Sequence, residues 1–130
     1  MSTRRYLMVP EVLYIHADLI EQYGGTQGVR DMGALESALY RPQSGYYEDL
    51  VQEACSLLES LAMNHPFLDG NKRVAFAAME VFLMLNDHEV VGDAMALYRR
   101  FIKLFDAGNF RLAELEAYLR PRIKPIKGRT

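Results

Sequence analysis

HPFLDGNKRVAFAAMEVFLML, residues 65–85, joins a short polar segment to a stretch in which, from Val74 to Leu85, only Glu80 is charged or polar. A helix that is apolar nearly all round belongs at the centre of a bundle, wrapped by the others. The residues before it set where it begins. Pro66 disfavours right-handed α geometry at His65, so a preceding helix ends there with its imidazole projecting from the last turn. Gly70 allows backbone angles that other residues avoid, and the central helix then runs over about 71–85.

Outward from that helix, apolar positions recur at helical spacing. Leu50, Ala54, Leu57, Leu58 and Leu61 form one stripe of a helix over about 48–64, with Glu53, Glu59 and Ser60 away from it. Pro10 suits the first turn of a helix that runs to about Tyr23, where Gly24-Gly25 stops it. Val12, Leu13, Ile15, Leu19 and Ile20 supply its apolar face. Asp31 caps a short helix over about 32–40, which ends before Pro42. After the central helix, Asp93 caps a fifth over about 93–106, stopped by Gly108, and a sixth covers about 110–119. Strand-like alternation is weak, with a small hairpin expected in the Gln43–Tyr47 region. The expected fold is an all-α bundle of about six helices, with a loop before a central buried helix.

At 130 residues the chain fits one domain with a workable core. No apolar run reaches the roughly 18–20 residues that cross a bilayer, and Met-Ser-Thr-Arg-Arg is not followed by a signal core, so a cytoplasmic location is expected. The single cysteine, Cys55, excludes an intramolecular disulfide and reads as a small buried hydrophobe. His16, His65 and His88 are too scattered for a zinc cluster. The net charge of −2 hides an asymmetry. Residues 120–130 hold five of the 15 basic residues and no acid, so the rest carries 10 bases against 17 acids, a net of −7. An acidic body is a poor surface for nucleic acid. Residues 121–130, with Pro121 and Pro125, read as a basic, mobile C-terminal tail beyond a domain over 1–120.

The chemistry concentrates between His65 and Arg73. A helix N-terminus carries unpaired N–H groups and the positive end of the dipole. Lys72 and Arg73 add two cations where helices ordinarily carry acids, a departure that a phosphate-bearing ligand explains. Imidazole is suited to take a proton from a hydroxyl nucleophile. Asp69 can hold Mg²⁺, and Arg73 can offset charge on phosphoryl oxygens. The alternative is structural, with His65 ending a helix, Asp69 capping the next, and Lys72 and Arg73 on a solvated face. Taken together the residues favour a site. His16 and His88 read as structural, while Arg30 and Arg41 could join the phosphate site or pair with acids.

HPFLDGNKR resembles the Fic/Doc motif, His-x-Phe-x-Asp/Glu-Gly/Ala-Asn-Gly/Lys-Arg, at every fixed position. Tyr23-Gly24-Gly25, Gly28-Val29-Arg30-Asp31, Leu35-Glu36-Ser37-Ala38 and Arg41-Pro42-Gln43 resemble the N-terminal part of its death-on-curing (Doc) toxin branch, so that the resemblance covers roughly residues 8–120. It implies a helical bundle with the motif loop before the central helix. It implies that His65 activates a target hydroxyl, Asp69 helps to hold Mg²⁺, Gly70 and Asn71 form an anion hole, and Arg73 contacts nucleotide phosphates, while Phe67 is structural. Lys72 discriminates: adenylyl-transferring members carry glycine there, and Doc-like members carry lysine and resemble a kinase that presents the γ-phosphate of ATP. Pro66 is common in the adenylyl-transferring branch, which stands as the alternative. The implied target is translation elongation factor Tu, whose phosphorylation arrests translation. The implied partner is an antitoxin that folds into a groove, for which the first two helices and Tyr46-Tyr47 are candidates.

Overall fold

The computed structural model describes residues 3–128. In chain order it forms α1 (Val9–Tyr23), α2 (Met32–Tyr40), a 3-10 turn (Arg41–Gln43), α3 (Leu50–Met63), α4 (Asn71–Leu85), β1 (His88–Val90), α5 (Ala94–Asp106), α6 (Leu112–Leu119), a second 3-10 turn (Arg120–Arg122) and β2 (Ile123–Pro125). The all-α expectation holds, and the local signals act as read. The side chains of Asp31 and Asp93 accept from Ala34 N (3.0 Å) and Ala96 N (3.1 Å) at the starts of α2 and α5. Gly24 closes α1 at a φ of 87°.

α4 is central, with Val74, Ala75, Phe76, Ala78, Met79, Phe82 and Leu83 buried. It shares that position with α3, whose buried residues lie all round the helix and include Glu53 and Ser60. That corrects the expectation of a polar outer face on α3. Arginines reach in from other segments and satisfy those groups. Arg4 Nε lies 3.1 Å from Glu53 Oε1, and Arg41 Nη1 donates to Ser60 Oγ (2.8 Å) while standing 2.7 Å from Glu59 Oε1. Buried polar groups persist only when paired in this way.

Two further expectations fail. Residues 43–47 form no hairpin; Arg41–Gln43 is a 3-10 turn, with Pro42 buried at its start. The small sheet lies elsewhere, as β1 and β2 pair antiparallel with His88 opposite Pro125, Glu89 opposite Lys124 and Val90 opposite Ile123. Residues 121–125, read from sequence as mobile, are thus part of the fold. Pro121 sits in the first turn of a 3-10 segment and Pro125 at a strand end, where a missing N–H is tolerated. Ile123 is buried against the core. Arg129, part of the expected tail, lies outside the described residues. Among the described residues no helix is long and apolar enough to cross a membrane.

Arg120 ties this end of the chain to the start of α3. Its guanidinium donates to both oxygens of Asp49 (2.9 and 3.2 Å), while Asp49 also caps α3 by accepting from Gln52 N (3.0 Å). The hydrogen bonds from Arg120 hold the Asp49 carboxyl below its ordinary pKa. A depressed folded pKa contributes stability above the unfolded value, and that stability is lost as pH falls through the folded value. Asp49→Asn, which retains an acceptor for the cap, should therefore be less stable than wild type near neutral pH by less than about 1 kcal/mol, since the pair is half exposed. Urea denaturation should show the two proteins converging in acid; a gap that persists there would mean that the ion pair is not its source.

Candidate active site

α3 stops at Met63, and His65 follows with a φ of 50°, in the left-handed region that non-glycine residues seldom occupy. Arg30 holds this conformation, donating from Nε to the His65 carbonyl (2.5 Å) and from Nη2 to that of Asn64 (2.9 Å). The main chain of the same segment tracks the loop. Arg30 N and Asp31 N donate to Pro66 O (2.8 and 3.0 Å), Leu68 N donates to Gly28 O (3.0 Å), and Val29 bridges Phe67. The His65 ring is thereby left exposed at the edge of a cavity.

Phe67 anchors the loop. It is buried, and its ring lies flat on that of His16, with centroids 3.8 Å apart and planes 6° apart. His16, buried on the inner face of α1, reaches past the stack to Asp69 O at 2.7 Å. A carbonyl only accepts, so His16 Nε2 carries the proton in that bond. Asn71 holds the same residue from the other side. Its carboxamide accepts from Phe67 N (2.9 Å) and donates to Phe67 O (3.0 Å), satisfying both main-chain groups of a buried residue. What Asn71 offers an incoming anion is therefore its main-chain N–H at the start of α4.

That helix start has no side-chain cap. Gly70 occupies the N-cap with a φ of 76°, and a Cβ there would stand 3.1 Å from Ile20 Cδ1. Asp69 does not cap α4, as the structural alternative had it. Its carboxylate accepts from Gly70 N (2.9 Å) and Thr26 N (3.1 Å), an arrangement that leaves lone pairs on both oxygens. Gly25 makes room for it, since a Cβ at that position would fall 2.8 Å from Asp69 Oδ2.

Above this helix start opens a cavity of about 350 Å³. His65, Asp69, Gly70, Asn71, Lys72 and Arg73 all line it, so every site residue read from the sequence is brought to one place. The two cations are each steered by a ring. The Arg73 guanidinium lies 4.4 Å from the Tyr23 centroid, and the Lys72 ammonium 4.1 Å from that of Phe105 on α5. Unpaired N–H groups, the helix dipole and two cations in one concavity suit a phosphate chain. Among the described residues no cluster of three or more His, Cys, Asp or Glu side chains could hold a metal by itself. A lone carboxylate nonetheless fits Mg²⁺, which commonly takes one or two carboxylates and completes its shell with substrate phosphates and water.

Sequence reasoning missed His16 and Gly25 as parts of the site, and it left Arg30 between the phosphate site and a pairing with acids, whereas Arg30 instead holds main-chain carbonyls of the loop. His16 carried a signal, because it sits between Val12 and Ile20 on the buried stripe, where an imidazole needs a partner. The role that Arg30 takes had no local signal, since its partners are main-chain carbonyls 34 and 35 residues away. Arg41 proves structural, paired with Glu59. His88 donates from Nδ1 to Asn86 O (2.7 Å), also a structural role.

Residues 6–83 match the model of the Fic/DOC family. Over 76 residues, 55% of its length, the chain is 43% identical to Toxin Doc of Mycolicibacterium smegmatis, and it spans 58% of that toxin. Over 90 residues, 66% of its length, it is 33% identical to Protein kinase doc of Escherichia phage P1, and it spans 71% of that protein.

The Asn71 clamp yields a stability prediction. Asn71→Ala would leave a buried N–H and a buried carbonyl of Phe67 without partners, at a cost of about 1–3 kcal/mol. Denaturant titration measures this, and a variant as stable as wild type would show that the loop is held by other contacts.

Proposed function

The chain belongs to the Fic/Doc family, and we propose that it is a toxin of the Doc type that transfers the γ-phosphoryl group of ATP to a hydroxyl of a target protein. The observation that carries this reading is the convergence of His65, Asp69, Lys72 and Arg73 on one cavity at the uncapped start of α4. The name of the phage relative, a protein kinase, supports the same reading.

In this mechanism the N–H groups at the start of α4, with Arg73, hold the phosphate chain and offset charge as it develops. Asp69 would hold Mg²⁺, which would screen the phosphate oxygens when bound. His65, exposed at the cavity edge, takes the proton of the target hydroxyl as its oxygen bonds to the γ-phosphorus. The bond from that phosphorus to the bridging oxygen breaks, and ADP leaves. Lys72 occupies the space beside the helix start that a glycine would leave open, which favours presentation of the γ-phosphate over the α-phosphate. The target, by the family resemblance, is translation elongation factor Tu, with arrest of translation as the consequence and a cognate antitoxin as the controlling partner. Adenylyl transfer is the second reading. It rests on Pro66, which is buried here in the loop beside Phe67.

Intact-mass analysis of elongation factor Tu incubated with the protein, ATP and Mg²⁺ tests the proposal. A phosphoryl increment is expected, and His65→Ala should slow its appearance by roughly two to four orders of magnitude. An adenylyl increment would move the protein to the other branch. Absence of any increment on this target or in a whole cytoplasmic extract would sink the transferase reading.

A further inference from the structure

Next to the cavity over α4 lies a second hollow of about 290 Å³, walled by Tyr23, Phe76, Ala77, Met95 and Tyr98, with Glu80 at its far end. The two share Leu19, Arg73 and Tyr98, so they adjoin along one face of α4. Arg73, Ala77 and Glu80 succeed one another along that face at helical spacing. Glu80 stands two turns beyond Arg73, about 10 Å along the axis, a span that a ribose and base can bridge beyond a phosphate held at Arg73. The walls suit a flat aromatic ligand: Tyr23 already lies against the Arg73 guanidinium, and Tyr98 packs edge-on to Phe76, with centroids 5.7 Å apart.

Glu80 is the one charged residue in the apolar part of α4, and it is half-buried. Burial pushes its carboxyl above the ordinary value, with no charged neighbour to counter it. Packing does not call for an acid there, since every other wall of the hollow except Arg73 is apolar or a tyrosine. A ligand that brings a hydrogen-bond donor to this point would satisfy the group. We propose that the hollow is the nucleoside half of the site, and that Glu80 accepts a hydrogen bond from the exocyclic amino group of a purine base whose phosphates lie on the start of α4. This inference rests on the nucleotide reading above. It makes Glu80 a specificity residue that takes no part in the transfer step.

Calorimetric binding of three probes in Mg²⁺ separates the two ideas: ATP, purine riboside 5′-triphosphate (which lacks the amino group) and inorganic tripolyphosphate. Wild type should bind ATP roughly tenfold more tightly than the analogue without the amino group, because that analogue leaves the half-buried Glu80 carboxylate covered and unpaired. Glu80→Leu should abolish that preference by weakening ATP alone, Glu80→Gln should keep much of it, and tripolyphosphate should bind all three proteins alike. Equal binding of ATP and the analogue to wild type would overturn the role of Glu80 while leaving the nucleotide reading intact, and it needs no variant to fold. An equal loss for all three probes in Glu80→Leu would also overturn it. Failure of wild type to bind any probe would overturn the nucleotide reading together with this one.

Discussion

The site depends on how Phe67 is held. Its ring is stacked on His16, and both its main-chain groups are satisfied by one carboxamide, that of Asn71. Because Asn71 is also the first residue of α4, the clamp couples the loop directly to the helix start. His16 extends the coupling to α1 through the Asp69 carbonyl. The residues that line the cavity are thus positioned by ring and hydrogen-bond contacts made behind it. Such support is what holds a constellation to the tolerance that positioning chemistry requires.

A local sacrifice of stability accompanies this arrangement. α2, α3 and α5 each begin with an aspartate whose carboxylate accepts from the third residue on, a contact worth roughly 1 kcal/mol. α4 begins with a left-handed glycine and two cations in its first turn, and forgoes both the cap and the favourable dipole interaction. Its burial against α3 tolerates the loss, since most helical stability in a protein comes from packing. The strained φ at His65 is of the same kind, kept in place by Arg30 and the segment beside it.

The bundle also shows why polar residues on a central helix need distant partners. Glu53, Glu59 and Ser60 of α3 are matched by Arg4 and Arg41, from the N-terminal segment and the 3-10 turn. Arg120 makes a similar link to Asp49 at the start of α3. These arginines sit at helix ends and in connecting segments, so charge pairing fastens the connecting segments onto α3.

Helix number, helix boundaries and the composition of the site were legible in the chain because they depend on local chemistry. Apolar periodicity, capping aspartates and glycine stops act within one or two turns, and His65 to Arg73 are contiguous. The reading failed where the deciding contact is remote. Residues 121–125 have the composition of a loose end, and only pairing with β1, more than 30 residues away, makes a strand of Ile123–Pro125. The inward turn of Glu53 and Ser60 likewise follows from arginines that local patterning cannot place. His16, Arg30 and Gly25 belong to the site only because the fold brings α1 and the segment after it against the loop. The sequence alone thus singled out the contiguous residues that line the cavity at the start of α4. The tertiary structure decided what holds them, because the hydrogen bonds and ring contacts that orient a side chain are made across the fold.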